Sequence, residues 1–178
     1  VKTILITSPS PKEGKTITLV NLGITLAQSG LKTLIIDADM RRPKLHSIFR
    51  REREPGLSNL LMGEVDLKEA LRGTEIEGLN LIPCGTRPPN PIKLLSSQRF
   101  SELMDMIRGR FDLILVDSPP VVSLSDASII APKTDAVLLV IQAGETKRAV
   151  AQQAVETLTN VGANIFGVIL NDFDYKRH

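Results

Sequence analysis

The chain has no tryptophan, a single tyrosine (Tyr175) and five phenylalanines among 178 residues, so aromatics supply only 3% of it. Its core therefore has to be built from Ile, Leu, Val and Ala, the composition of buried parallel strands under flanking helices. Cysteine is nearly absent too: the lone Cys84 excludes an internal disulfide and suits a reducing compartment. With one cysteine and only two histidines, His46 and His178, a structural zinc site is disfavoured. No apolar run approaches the ~20 residues of a membrane span, and no signal peptide is visible. The formal net charge of +2 gives no overall field to recruit nucleic acid or membrane. A chain of 178 residues has room for one α/β domain with a full core. We expect a single domain over residues 1–178, and Val1 in place of Met suggests a domain cut from a longer polypeptide.

Short aliphatic runs bounded by Gly, Pro or Asp alternate with helical patterns from end to end. Buried strands are expected at Thr3–Thr7, Thr33–Asp37, Leu79–Pro83, Leu113–Asp117, Ala136–Ile141 and Ile165–Leu170. Helices are expected at Lys15–Ser29, Leu67–Leu71, Gln98–Arg108, Ser125–Ala131 and Lys147–Val161, with Gly30 and Gly162 as stop signals. This alternation predicts right-handed βαβ crossovers: an α/β fold with a doubly wound, mostly parallel sheet flanked by helices, binding its ligand beyond the carboxyl ends of the strands. The stretch from Arg41 to Pro91 is the least regular and reads as long functional loops.

Between the first strand and first helix stands Ser8-Pro9-Ser10-Pro11-Lys12-Glu13-Gly14-Lys15-Thr16. Gly14 lets consecutive N–H groups turn toward a phosphate, and the helix start adds its partial positive charge. Lys15 is placed to reach the terminal phosphates, and the Thr16 hydroxyl to ligate Mg²⁺. The first glycine of the usual G-x-x-x-x-G-K-[S/T] pattern is replaced by Pro9. Two further strands end in carboxylates: Asp37-Ala38-Asp39 after Leu34-Ile35-Ile36, and Asp117 after Leu113-Ile114-Leu115-Val116. In an extended chain Asp37 and Asp39 point the same way and can address one ligand. Such groups can hold a metal's water shell or take a proton, although each alone could equally cap a helix or loop. Together with Gly14-Lys15-Thr16 they point to nucleotide binding with Mg²⁺.

Three phrases then define a family resemblance: Asp37-Ala38-Asp39-Met40-Arg41-Arg42-Pro43, Pro88-Pro89-Asn90-Pro91 leading to Leu94-Leu95-Ser96-Ser97, and Phe111-Asp112 leading to Asp117-Ser118-Pro119-Pro120. Over nearly its whole length the chain resembles the cytoplasmic domains of bacterial tyrosine kinases of capsule and exopolysaccharide synthesis. Those domains share the P-loop NTPase fold of the partition and division-site ATPases. The resemblance implies an ATP-dependent, autophosphorylating protein-tyrosine kinase that regulates polysaccharide synthesis and export. It implies nucleotide contacts from Pro11, Lys12, Glu13, Gly14, Lys15, Thr16 and Ile17, with Asn171 near adenine. Thr16, Asp39 and Asp117 would hold Mg²⁺, Asp37 would accept the tyrosine proton, and Arg41 would lie near the phosphates or a partner subunit. Tyr175 is the available phosphoacceptor, one tyrosine where the family's tails carry several. The implied partners are a membrane adaptor or a fused N-terminal transmembrane activator, protein-tyrosine substrates, and further copies in a homo-oligomer at the cytoplasmic face of the bacterial plasma membrane.

Two other readings stay open on the residues: a switch ATPase of the partition or division-site type, and a nucleotide-binding scaffold without kinase activity. Ser10 stands where partition ATPases carry their signature lysine, which counts against the first. The basic cluster Arg41, Arg42, Lys44, Arg50, Arg51 and Arg53 can contact phosphate, an acidic partner or lipid headgroups, or can simply be a solvated face. It lacks interleaved aromatics, so single-stranded nucleic acid is not an expected partner.

Overall fold

Six of the seven strands run the same way, and their aliphatic side chains are divided almost evenly between two helical layers. The computed structural model describes residues 1–172. In chain order its elements are β1 (Thr3–Thr7), α1 (Lys15–Gln28), β2 (Thr33–Asp37), α2 (Leu45–Ile48), α3 (Leu57–Met62), α4 (Leu67–Ala70), β3 (Arg72–Gly73), β4 (Leu79–Ile82), α5 (Pro91–Leu95), α6 (Gln98–Arg108), β5 (Leu113–Asp117), α7 (Asp126–Ile130), β6 (Ala136–Gln142), α8 (Arg148–Asn160) and β7 (Ile165–Asn171). The strand order is β3-β4-β2-β5-β1-β6-β7, with β3 antiparallel to β4 and the other pairings parallel. This is the three-layer, doubly wound α/β arrangement of P-loop NTPases.

Strand alternation fixes which face each residue serves. Leu5, Leu34, Ile36, Ile114 and Val116 join the core with Phe100, Leu103 and Ile107 of α6. Their strand neighbours Ile6, Ile35 and Leu115 pack on the opposite face with Leu19 and Val20 of α1. Fully burying one such side chain stabilises by about 1.5–3 kcal/mol, which is why continuous apolar runs, rather than alternating ones, make these strands. The same alternation carries Asp37 and Asp117, two residues beyond Ile35 and Leu115, to the α1 side. They are register partners, Asp37 opposite Asp117, at the carboxyl edge where α1 begins.

The expected elements form with small shifts at their ends. The fourth strand stops at Ile82 because Pro83 has no N–H to give the ladder. Two expectations change more. The Arg41–Pro91 stretch contains, besides the expected helix at Leu67, three further helices of four to six residues rather than plain loops. The last strand is not buried: β7 is an edge strand, and Phe166, Val168 and Leu170 are 68%, 52% and 49% exposed, with no further strand beyond it among the described residues.

Candidate active site

The loop from β1 to α1 is braced by its own side chains. The Ser8 hydroxyl donates to the Ser10 carbonyl (2.7 Å), and the Ser10 N–H donates to Glu13 Oε2 (2.8 Å). Thr146 Oγ1 donates to Glu13 Oε1, and Asn171 Nδ2 donates to the Glu13 carbonyl at 3.1 Å. Glu13 is therefore a buried strut of the loop. Gly14 begins the helix at φ 83°, a conformation that side chains rarely adopt, and the Asn171 side chain fills the place a Cβ would take. Gly14→Ala should thus collapse the loop geometry. We expect a loss of about 1–2 kcal/mol from the backbone alone, plus displacement of Asn171, read as a lower urea midpoint and lost nucleotide binding.

Lys15 and Thr16 meet the strand-end carboxylates directly. Lys15 Nζ lies 2.8 Å from Asp117 Oδ1 and 3.4 Å from Asp39 Oδ2, and Thr16 Oγ1 donates to Asp117 Oδ2 at 2.9 Å. Burial draws the Lys15 ammonium down, but Asp117, Asp39 and Asp37 outweigh it and hold it above its ordinary value. Burial raises Asp117, with Lys15 and Thr16 opposing. Asp37 is pushed up to about 8, by burial first and then by the Asp117 charge. One ammonium facing three carboxylates leaves an excess of acidic oxygen at the helix start.

Asp37 also shapes the loop that follows it. Its Oδ1 accepts the Asp39 N–H (3.2 Å) and its Oδ2 accepts those of Lys44 (3.2 Å) and Leu45 (3.1 Å). It has no exposed surface, whereas Asp39, at 7% exposure, lines a cleft of about 370 Å³ with Lys12, Gly14, Lys15, Thr16 and Arg42. The expected proton acceptor Asp37 thus lies behind the cleft wall, because β2 ends there and the chain turns; Asp39 is the carboxylate that faces in. Arg41 does not line the cleft. Its guanidinium grips the fully buried Asp126 at the start of α7 (3.1 Å), and its neighbours Arg42 and Lys44 line the cleft instead. Pro11 and Ile17 line the cleft as expected, and Tyr175 lies outside the described residues. Sequence reasoning missed Asp126 and Asn59. Asn59 Oδ1 accepts the Gly56 and Thr86 N–H groups and ties the α3 start to the loop after β4. A larger cleft, about 590 Å³ between α3–α4 and α6, holds none of the loop or strand-end groups.

Because the folded state holds the Asp37 proton more tightly than the unfolded chain, which releases it near pH 4, stability falls as pH rises from about 4 to 8 and levels above. The ligand-free domain should melt higher at pH 5 than at pH 8; an equal or higher midpoint at pH 8 would mean that Asp37 is ionised in the fold. Cys84, fully buried after β4, is pushed up to about 12, again by burial first, and is chemically inert as a thiol.

Among the described residues no group of three or more His, Cys, Asp or Glu has metal-holding geometry. The Thr16 hydroxyl and the Asp117 carboxylate, with Asp39 beside them, nevertheless offer oxygen donors that fit Mg²⁺, which keeps waters and takes phosphate oxygens for the rest of its shell.

A parallel sheet with a Gly14-Lys15-Thr16 loop opening a helix, and an aspartate closing the neighbouring strand, defines a P-loop nucleotide-binding domain; residues 1–169 match the AAA domain family. The putative tyrosine-protein kinase CapB of Staphylococcus aureus is 36% identical over 171 residues, covering 96% of this chain and 75% of CapB. The tyrosine-protein kinase ptk of Acinetobacter johnsonii is 38% identical over 169 residues, 95% of this chain but 23% of that protein. The crystal structure of the chimerical protein CapA2B2 superposes with a TM-score of 0.94 at 35% identity, over 97% of this chain and 76% of that one. The chain belongs to the bacterial tyrosine-protein kinase family. The septum site-determining protein MinD of Pyrococcus horikoshii, at 24% identity and a TM-score of 0.83 over 99% of this chain and 72% of its own, shares the fold.

Proposed function

We propose that this domain transfers the γ-phosphate of ATP to protein tyrosines, with the cluster at the β1, β2 and β5 ends as its reaction centre and capsule or exopolysaccharide synthesis as the process it regulates. The observation that carries this reading is the convergence of Thr16, Asp39 and Asp117 within hydrogen-bond reach of Lys15 Nζ at the start of α1. Tyrosine, with a pKa near ~10, is a poor nucleophile at neutral pH and needs a carboxylate beside it. Asp39, on the cleft wall, takes that role. The tyrosine oxygen bonds to the γ-phosphorus as the bond to the β,γ-bridging oxygen breaks; ADP leaves with the electron pair, and the phenolic proton passes to Asp39. Lys15 stabilises charge on the phosphoryl oxygens, and loop N–H groups hold the β-phosphate. Thr16 and Asp117 would hold Mg²⁺, which would supply further neutralisation of the phosphoryl charge. Asp37 anchors the turn that presents Asp39, and Arg41 anchors it to α7 through Asp126.

The partners we propose are a membrane adaptor or fused activator, other copies of the chain, and tyrosine-bearing proteins, with the reaction taking place at the inner face of the membrane. Among the described residues no helix is long and apolar enough to cross a membrane. The test is the fate of labelled γ-phosphate in the presence of a tyrosine-rich peptide. Label on tyrosine in excess of free phosphate supports a kinase; free phosphate without phosphotyrosine would make the domain a switch ATPase.

A further inference from the structure

In-line transfer requires the acceptor to approach the γ-phosphate from the side opposite the leaving ADP. The strand order separates those two sides. Asn171, at the end of β7, lies over Gly14 on one flank of the β1 loop, and the Arg42–Ile48 stretch that follows β2 lies on the other. With the nucleotide body toward β7, the acceptor enters along the β2 flank.

The mouth on that flank is distinctive. Ile17 and Ile48, both exposed (55% and 38%), form apolar lips of the cleft. Lys12, Arg42 and Lys44 stand exposed around it, and none of them forms an ion pair with a carboxylate among the described residues. Lys12 holds a left-handed backbone (φ 67°) that glycine would adopt without strain, so what lysine adds there is a cation at the mouth.

We infer that this mouth selects tyrosines preceded by carboxylates: the phenol ring lies between Ile17 and Ile48, and Arg42, Lys44 and Lys12 draw in the acidic residues before it. The inference rests on the kinase reading and deepens it. Charge complementarity with the chain's own sequence supports it, since the single tyrosine stands in Asp172-Phe173-Asp174-Tyr175. Exposed ion pairs of this kind are individually weak, so two or three together should favour an acidic acceptor by about tenfold, less as salt rises.

The experiment compares kcat/KM for three peptides that differ only in the two residues flanking the phenylalanine before tyrosine: aspartates, asparagines or lysines. The expected order is aspartate over asparagine over lysine, with about tenfold between the first two. The double variant R42E/K44E should invert that order, a ratio within one protein that is insensitive to partial misfolding. Ile48→Ser should raise KM for all three peptides without changing their order; an unchanged KM would remove the ring from its place between the isoleucines. Equal kcat/KM for the three peptides in the unmodified domain overturns the inference and leaves the kinase reading standing. Hydrolysis of ATP with no peptide labelled overturns both.

Discussion

Replacing Lys15 with methionine should lower phosphotransfer by about 10³-fold or more, the scale of removing one charged group that stabilises developing phosphoryl charge. Among the described residues Lys15 is the one cation paired with both Asp117 and Asp39. The same change has a structural effect of opposite sense to intuition about active-site mutants. It leaves the fully buried Asp117 without its ion partner, which drives that carboxyl further toward its protonated form instead of leaving a naked charge. The variant should therefore stay folded, with a steeper fall of stability from acid to neutral pH. Label transfer and thermal melting across pH separate these effects. Full transfer activity in the variant would remove Lys15 from the reaction.

The second large effect is expected at Asp39. Asp39→Asn keeps the shape of the cleft wall and an oxygen to accept the Arg42 N–H, now 3.0 Å from Oδ1, but removes the proton acceptor. Transfer should fall by about 10²–10⁴-fold while nucleotide affinity changes far less, so that kcat rather than the nucleotide KM carries the loss. Asp37→Asn should behave differently. Its carboxylate accepts three backbone N–H groups, and an amide that turns its NH₂ toward the Lys44 and Leu45 donors disturbs the turn itself. That variant should lose stability and nucleotide binding together with activity. If instead Asp37→Asn cut transfer selectively and Asp39→Asn did not, the proton would go to Asp37, and the cleft would have to open to reach it.

The parts of the fold that were legible in the sequence are those governed by local signals strong enough to survive tertiary context. Leu34-Ile35-Ile36-Asp37 and Ile114-Leu115-Val116-Asp117 read as strands because both faces are buried and an aspartate closes each. Helix α6 was legible because Phe100, Leu103, Met104 and Ile107 recur at helical spacing. Of the short helices α2 to α5 only α4 was expected, at Leu67–Leu71; α2, α3 and α5 are too short for any periodicity to register. Their start signals are nevertheless present: Asn90 caps a helix that opens on Pro91, and Asp66 pairs with Glu69 in a capping box. Such signals identify helix starts even where no stripe follows.

The site was legible in membership more than in arrangement. Lys15, Thr16, Asp39 and Asp117 come together as their residue types implied. Asp37 closes β2 and its carboxylate is taken up by N–H groups of the turn, whereas Asp39, just beyond the strand, faces the cleft. Arg41 was singled out over Arg42 on its family phrase; a buried partner, Asp126, engages Arg41, and it is Arg42 that lines the cleft. The exposure of β7 is likewise a property of its neighbours. Its run Ile165–Leu170 reads as buried, and only the sheet order reveals that no further strand lies beyond it among the described residues.

The measurement that tests the central claim most directly is a crystal structure of this domain with Mg²⁺ and a non-hydrolysable ATP analogue. The account predicts that Lys15 leaves Asp117 for the β- and γ-phosphate oxygens, that the metal sits between Thr16 and Asp117, and that Asp39 faces the open side of the γ-phosphate. A nucleotide bound away from the β1 loop, or Lys15 still paired with Asp117 beside a bound triphosphate, would contradict it.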